Sequence, residues 1–157
     1  MTQTKVIGES VKQTNRTFVK SYVEEYAKAI TENYRRYHLN TLNGNLHGNY
    51  PEYAKKQLAE IENGTANLMK FKVYTGKRYY KIVQQEFETW EKSRNYGKYA
   101  DGSVHCFVDK ETGDVYKPAS WSAPAKHIRY TFQDVNHLKF LLNPDNVNWA
   151  GGYLYMR

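Results

Sequence analysis

A chain of 157 residues, 40% hydrophobic and 25% charged, has enough apolar surface for one domain with its own core, which excludes wholesale disorder and a string of domains. Its formal charge of +7 favours anionic partners such as nucleic acid, nucleotides, acidic proteins or a phospholipid surface. Cys106 is the only cysteine, which excludes an intramolecular disulfide and fits a reducing compartment.

The first fifteen residues are polar and read as a loose arm, without the apolar stretch of a signal peptide. From about Arg16 the pattern turns helical. Phe18, Tyr22, Tyr26, Ile30 and Tyr34 recur every four residues beside Val19, Val23 and Ala27, opposite Lys20, Glu24, Lys28 and Glu32. The glycines and asparagines of Asn40–Asn49 predict a loop. A second helix is expected after it, capped by Asn49, opened by Pro51, buried through Tyr53, Ala54, Leu58 and Ile61, and stopped at Asn63-Gly64.

The period then becomes two. Met69, Phe71 and Val73 alternate with Lys70, Lys72 and Tyr74, and a turn at Thr75-Gly76 would set Tyr74 against Lys77, Lys72 against Tyr79 and Lys70 against Lys81. Arg78 would fall on the apolar side near the turn, with a stem long enough to curl back to water. A polar connection follows, with Trp90 and Tyr96 expected as anchors. Ser103–Asp109 and Asp114–Lys117 form a second hairpin closed by Gly113. A three-residue loop setting Lys110 against Asp114 is preferred there, since a four-residue loop would oppose Asp109 and Asp114. His127–Phe132 reads as another strand. Asp134 caps a short helix bearing Val135, Leu138, Leu141 and Leu142, and Tyr153–Tyr155 reads as a last strand.

The architecture expected is thus α+β: two N-terminal helices packed on an antiparallel sheet of four to five strands built from hairpins, with a short late helix. Residues 1–157 form a single domain, divided into the arm (1–15), a helical part (16–64) and a β-rich part (68–157). Net charge is +2 over Met1–Asn67 and +5 over Leu68–Arg157, so the β-rich part carries most of the excess.

The stretch VHCFVDKETGDVYKPASWSAPAKHIRY and the later NWAGGYLYMR resemble a group of small proteins encoded by tailed bacteriophages, for which no activity is established. The likeness covers roughly the C-terminal third, with a weaker echo at GKRYYKIV. It implies a viral origin and expression in the cytoplasm of a bacterial host, and it assigns no functional residue.

Two basic patches are the candidate sites. Lys70, Lys72, Tyr74, Lys77, Tyr79 and Lys81 would share a solvent face, where lysines displace counterions from phosphates and rings stack on unpaired bases. Outward lysines also keep an edge strand soluble, so a merely solvated face is the competing explanation. Lys117, Trp121, Lys126 and Arg129 lie in an acid-free stretch, where Trp121 serves either as a binding anchor or as a core plug.

Catalytic motifs are missing. His105 and Cys106 are neighbours in a strand and are expected to face opposite sides. The histidines lack metal-ligand spacing, and no phosphate-cradling glycine motif occurs. The function expected is a non-enzymatic phage-encoded intracellular protein, without metal, cofactor or membrane, that binds nucleic acid or inhibits a host factor such as an acidic protein of a defence complex. A virion component (capsid decoration or connector) and a small enzyme acting on nucleotides are the alternatives.

Overall fold

A computed structural model of the chain describes residues 2–155, with side chains from Asn15 onward. Helix α1 spans Thr2–Asn45 and helix α2 spans Pro51–Glu62. Strands β1 (Lys70–Thr75), β2 (Tyr79–Phe87), β3 (Tyr99–Asp109), β4 (Asp114–Tyr116) and β5 (Tyr130–Thr131) follow, then α3 (Val135–Leu141) and a 3₁₀ turn at Gly152–Leu154. The strands form one antiparallel sheet in chain order. The expected α+β architecture is therefore present, with α1 against one sheet face and α2 lying along α1.

The four-residue recurrence explains why α1 binds the sheet. Val19, Val23, Tyr26, Ala27 and Ile30 are buried against Phe71, Tyr80, Ile82, Cys106 and Val108, while Lys20, Glu24 and Lys28 stay exposed. Burying each Val or Ile side chain contributes about 1.5–3 kcal/mol. Polar contacts set the register: Thr31 Oγ1 accepts from Phe71 N at 3.2 Å, Trp149 N donates to Asn33 Oδ1 at 2.9 Å, and Arg36 meets Asp145 at 2.8 Å.

Several local expectations are corrected. The helix starts at Thr2, so the backbone of the segment read as an arm continues α1. It also runs through most of the predicted loop, to Asn45. Leu42 there is only 2% exposed, and its burial outweighs the roughly 1 kcal/mol cost of Gly44 in a helix. Helix α2 is capped at Tyr50 rather than Asn49, without a side-chain bond. Pro51 removes one of the amides that a cap would serve. Only Ala54 of its predicted face is buried, and Tyr53 points to solvent because α2 touches α1 along a narrow seam. Trp90 and Tyr96, expected as anchors, are exposed instead.

The first hairpin keeps the predicted faces but slips by four residues. Tyr74 opposes Lys81, Lys72 opposes Val83 and Lys70 opposes Gln85. An even slip leaves every side chain on its side while separating Lys70 from Lys81 and leaving Lys77 and Arg78 in a solvated turn. Arg78, at that turn, reaches water as expected. The second hairpin takes the disfavoured four-residue loop: Val108 pairs with Val115, so Asp109 and Asp114 face each other. The Asp109 carboxylate is otherwise engaged, accepting from Glu111 N at 2.8 Å and Thr112 N at 3.1 Å beside Arg78 Nε at 3.6 Å. Gly113, at φ +77°, takes the left-handed position as expected. Asp134 caps α3 through Asn136 N and His137 N, although Val135 is exposed. The last predicted strand is instead the 3₁₀ turn, which inserts Tyr153 and Leu154 into the core.

Candidate functional site

The outer sheet face, away from α1, is built by the parity of β1–β3. Lys70, Lys72 and Tyr74 stand beside Gln85, Val83 and Lys81, and next to them Asp101, Val104 and Phe107 of β3. Tyr74 crosses from β1 to β3, its hydroxyl donating to Asp101 at 2.8 Å. Val83, the outward residue of the strand between, is fully buried. At the other end the segment 117–126 folds back over the face. Pro118 bridges Pro124, Ala125 N bonds Lys117 O at 2.8 Å, and Lys81 Nζ donates to Trp121 O at 3.0 Å.

Between this roof and the β1–β2 turn lies a cleft of about 440 Å³. Four rings line it (Tyr74, Tyr79, Phe107 and Trp121), with three cations (Lys77, Arg78 and Lys81) and one carboxylate, Asp101. Phe107 and Tyr116 meet the Tyr79 ring edge-on at 5.9 and 6.0 Å, so the floor is rigid aromatic surface. Cations sit against rings along the whole face: Lys81 at 4.1 Å from Trp121, Arg78 at 5.1 Å from Tyr79, Lys72 at 4.8 Å from Tyr74 and Lys70 at 4.0 Å from Tyr99. Roughly two such pairs are expected in a chain this long; these four share one face. Among the described residues, Lys70, Lys72, Lys77 and Lys81 make no ion pair. The hydrogen bond from Gln85, with that of Tyr74 and the charges of Lys72 and Lys81, holds the Asp101 carboxyl below the usual carboxylate range. It is an ionised, acceptor-only group at neutral pH.

Five predicted residues thus converge on one cleft: Tyr74, Lys77, Tyr79 and Lys81 from the first patch and Trp121 from the second. Lys70 and Lys72 continue the same face. Trp121 also borders a shallower hollow of about 360 Å³ with Pro118, Ser120 and Tyr155, over whose ring Lys117 stands at 4.4 Å. Lys126 is exposed, Arg129 is half-buried, and neither lines the cleft. Arg78, Asp101 and Phe107 were missed. Alternation along β3 would have placed Phe107 outward, but two irregularities in the β2–β3 register hid the pairing.

One of these irregularities corrects the reading of His105 and Cys106. Ile82 pairs with Cys106 and Val83 with Val104, so His105 is the extra residue of a β-bulge, and both neighbours turn inward. His105 Nε2 bonds Tyr153 Oη at 2.7 Å, Tyr153 Oη bonds Tyr26 Oη at 2.5 Å, and Tyr26 bonds Cys106. Burial pushes the thiol up to about 12 and lowers His105 to about 4. A sealed thiol with almost no thiolate at neutral pH is a poor nucleophile.

Fold and site together define a class: an α+β protein that buries a helix on one face of an antiparallel meander and opens a cationic, ring-lined cleft on the other. The chain belongs to a family of unknown function (DUF7717), whose model matches residues 5–156. No curated protein and no solved structure matches it. No helix among the described residues is long and apolar enough to cross a membrane.

Proposed function

We propose that this protein is a non-enzymatic binding protein whose outer sheet face takes up single-stranded nucleic acid. The observation that carries this reading is the meeting of four rings and three cations in one 440 Å³ cleft, prolonged along the strands by Lys72 and Lys70. A solvated lysine face needs neither a cleft nor a tryptophan roof. Unpaired bases supply flat apolar surface for the rings, and their phosphates supply charge for the lysines. Duplex recognition fits less well, because stacked bases offer no free faces to a recessed ring. Taken with the resemblance to phage-encoded proteins, the work is done in the cytoplasm of an infected bacterium, in phage replication or against a host defence.

The test is fluorescence anisotropy of a labelled oligothymidylate across a salt series. Affinity falls with rising salt, with a slope of about −0.7 per phosphate contact. Replacing Lys70, Lys72, Lys77 and Lys81 with serine flattens that slope by about 3 units. Absence of binding at low salt, or an unchanged slope in the quadruple variant, defeats the proposal. Affinity capture from infected cells with and without nuclease then separates a nucleic-acid partner from an acidic host protein, which would survive the treatment.

A further inference from the structure

Among the described residues Asp101 is the one acid lining the cleft, and a carboxylate among phosphate-binding cations works against backbone contact. Its position is nevertheless built. Oδ1 accepts from Gln85 Nε2 at 2.8 Å and from the Tyr74 hydroxyl at 2.8 Å, whereas among the described residues Oδ2 receives only the second branch of the Tyr74 bond, at 3.0 Å. A carboxylate offers about four acceptor positions, so it keeps acceptor capacity beyond these two partners. Gln85, only 7% exposed, fixes it from below. This is an oriented, acceptor-only edge beside rings that would hold a base flat.

Resting on the single-strand reading above, we propose that Asp101 selects guanine among the bases entering the cleft. The unpaired guanine edge presents two adjacent donors, N1–H and the N2 amine, which match the two oxygens of a carboxylate. Adenine and cytosine each present one amine beside an acceptor nitrogen that the carboxylate repels. Thymine presents one N–H between two carbonyl oxygens. Two charge-assisted hydrogen bonds against one, with the O6 acceptor lying on the side of N1–H away from the amine, give guanine the advantage.

The experiment compares thymidine decamers carrying one central dG, dA, dC or inosine with the plain decamer, by competition anisotropy at fixed salt. The dG decamer is expected to bind roughly tenfold tighter than the plain one, and inosine, which lacks the N2 amine, loses most of that gain. Asp101→Asn brings the dG-to-dT affinity ratio close to one, with a thermal melt confirming that the variant is folded. A purely structural Asp101 would lower the melting temperature and leave the ratio alone. A dG advantage below threefold, no loss with inosine, or a ratio that survives Asp101→Asn in folded protein overturns the assignment. If the plain decamer binds with the expected salt slope but all bases are equal, only the guanine assignment falls. If no decamer binds at low salt, the single-strand reading falls with it.

Discussion

The two faces of the sheet are both rich in tyrosine, yet they use the hydroxyl in opposite ways. On the inner face Tyr26 and Tyr153 bond each other, His105 and Cys106, and Tyr130 donates to the Tyr153 carbonyl at 3.1 Å. Tyr26, Tyr153, Cys106 and His105 are neutral at pH 7, because burial raises the two hydroxyls and the thiol and depresses the imidazole. On the outer face Tyr74 reaches an ionised carboxylate, and Tyr74, Tyr79 and Tyr99 each lie against a cation. Charge is costly where water is excluded and tolerated where it is not. One side of a ribbon therefore holds the fold together, and the other keeps its charges in contact with water.

That contrast is open to attack, beginning with its most strongly packed point. Phe132 is 1% exposed and lies edge-on to Tyr26, with its Cβ under the turn at Gly113. Phe132→Ala is expected to cost about 3–5 kcal/mol, read from the denaturant midpoint.

Next comes the pH dependence of the inner network. His105 takes its proton at about 4 when folded and near 6.5 when unfolded. Between those values the unfolded chain holds more protons, so the His105 contribution to stability falls as pH drops from 6.5 towards 4 and is constant above 7. The full effect is about 3 kcal/mol. Equilibrium unfolding at pH 7.5 and 4.5 measures it, and His105→Gln flattens this component of the profile.

The outer face should respond the other way round. Trp121→Ala, at a residue 46% exposed, changes stability by no more than about 1 kcal/mol. It weakens single-strand binding roughly five- to a hundredfold, the worth of one stacked base. The smallest expected effect is at Tyr53, 59% exposed, where serine shifts the melt by less than about 0.5 kcal/mol. A large loss there would mean that α2 has a partner.

Much of this was legible in the residues. The four-residue stripe from Phe18 to Tyr34 named the buried face of α1, because a helix repeats its faces at that spacing whatever it packs on. Alternation placed Lys70, Lys72 and Tyr74 on one side of β1, and the even slip in pairing did no harm. The bulge at His105 was not legible, since an extra residue in one strand leaves no periodic mark and reverses the alternation beyond it. The four-residue turn was missed because like charges were weighed without Arg78 and the free amides that engage Asp109.

Local periodicity and turn chemistry by themselves determined the α+β class, the main helix and its face, and the cationic side of the first hairpin, since each depends on near neighbours in the chain. The cleft was decided only in three dimensions. It takes Tyr74 from β1, Lys81 from β2, Asp101 from β3 and Trp121 from the returning segment. Residues so far apart in sequence are brought together by strand register and by the fold-back over Phe107, neither of which any local stretch encodes.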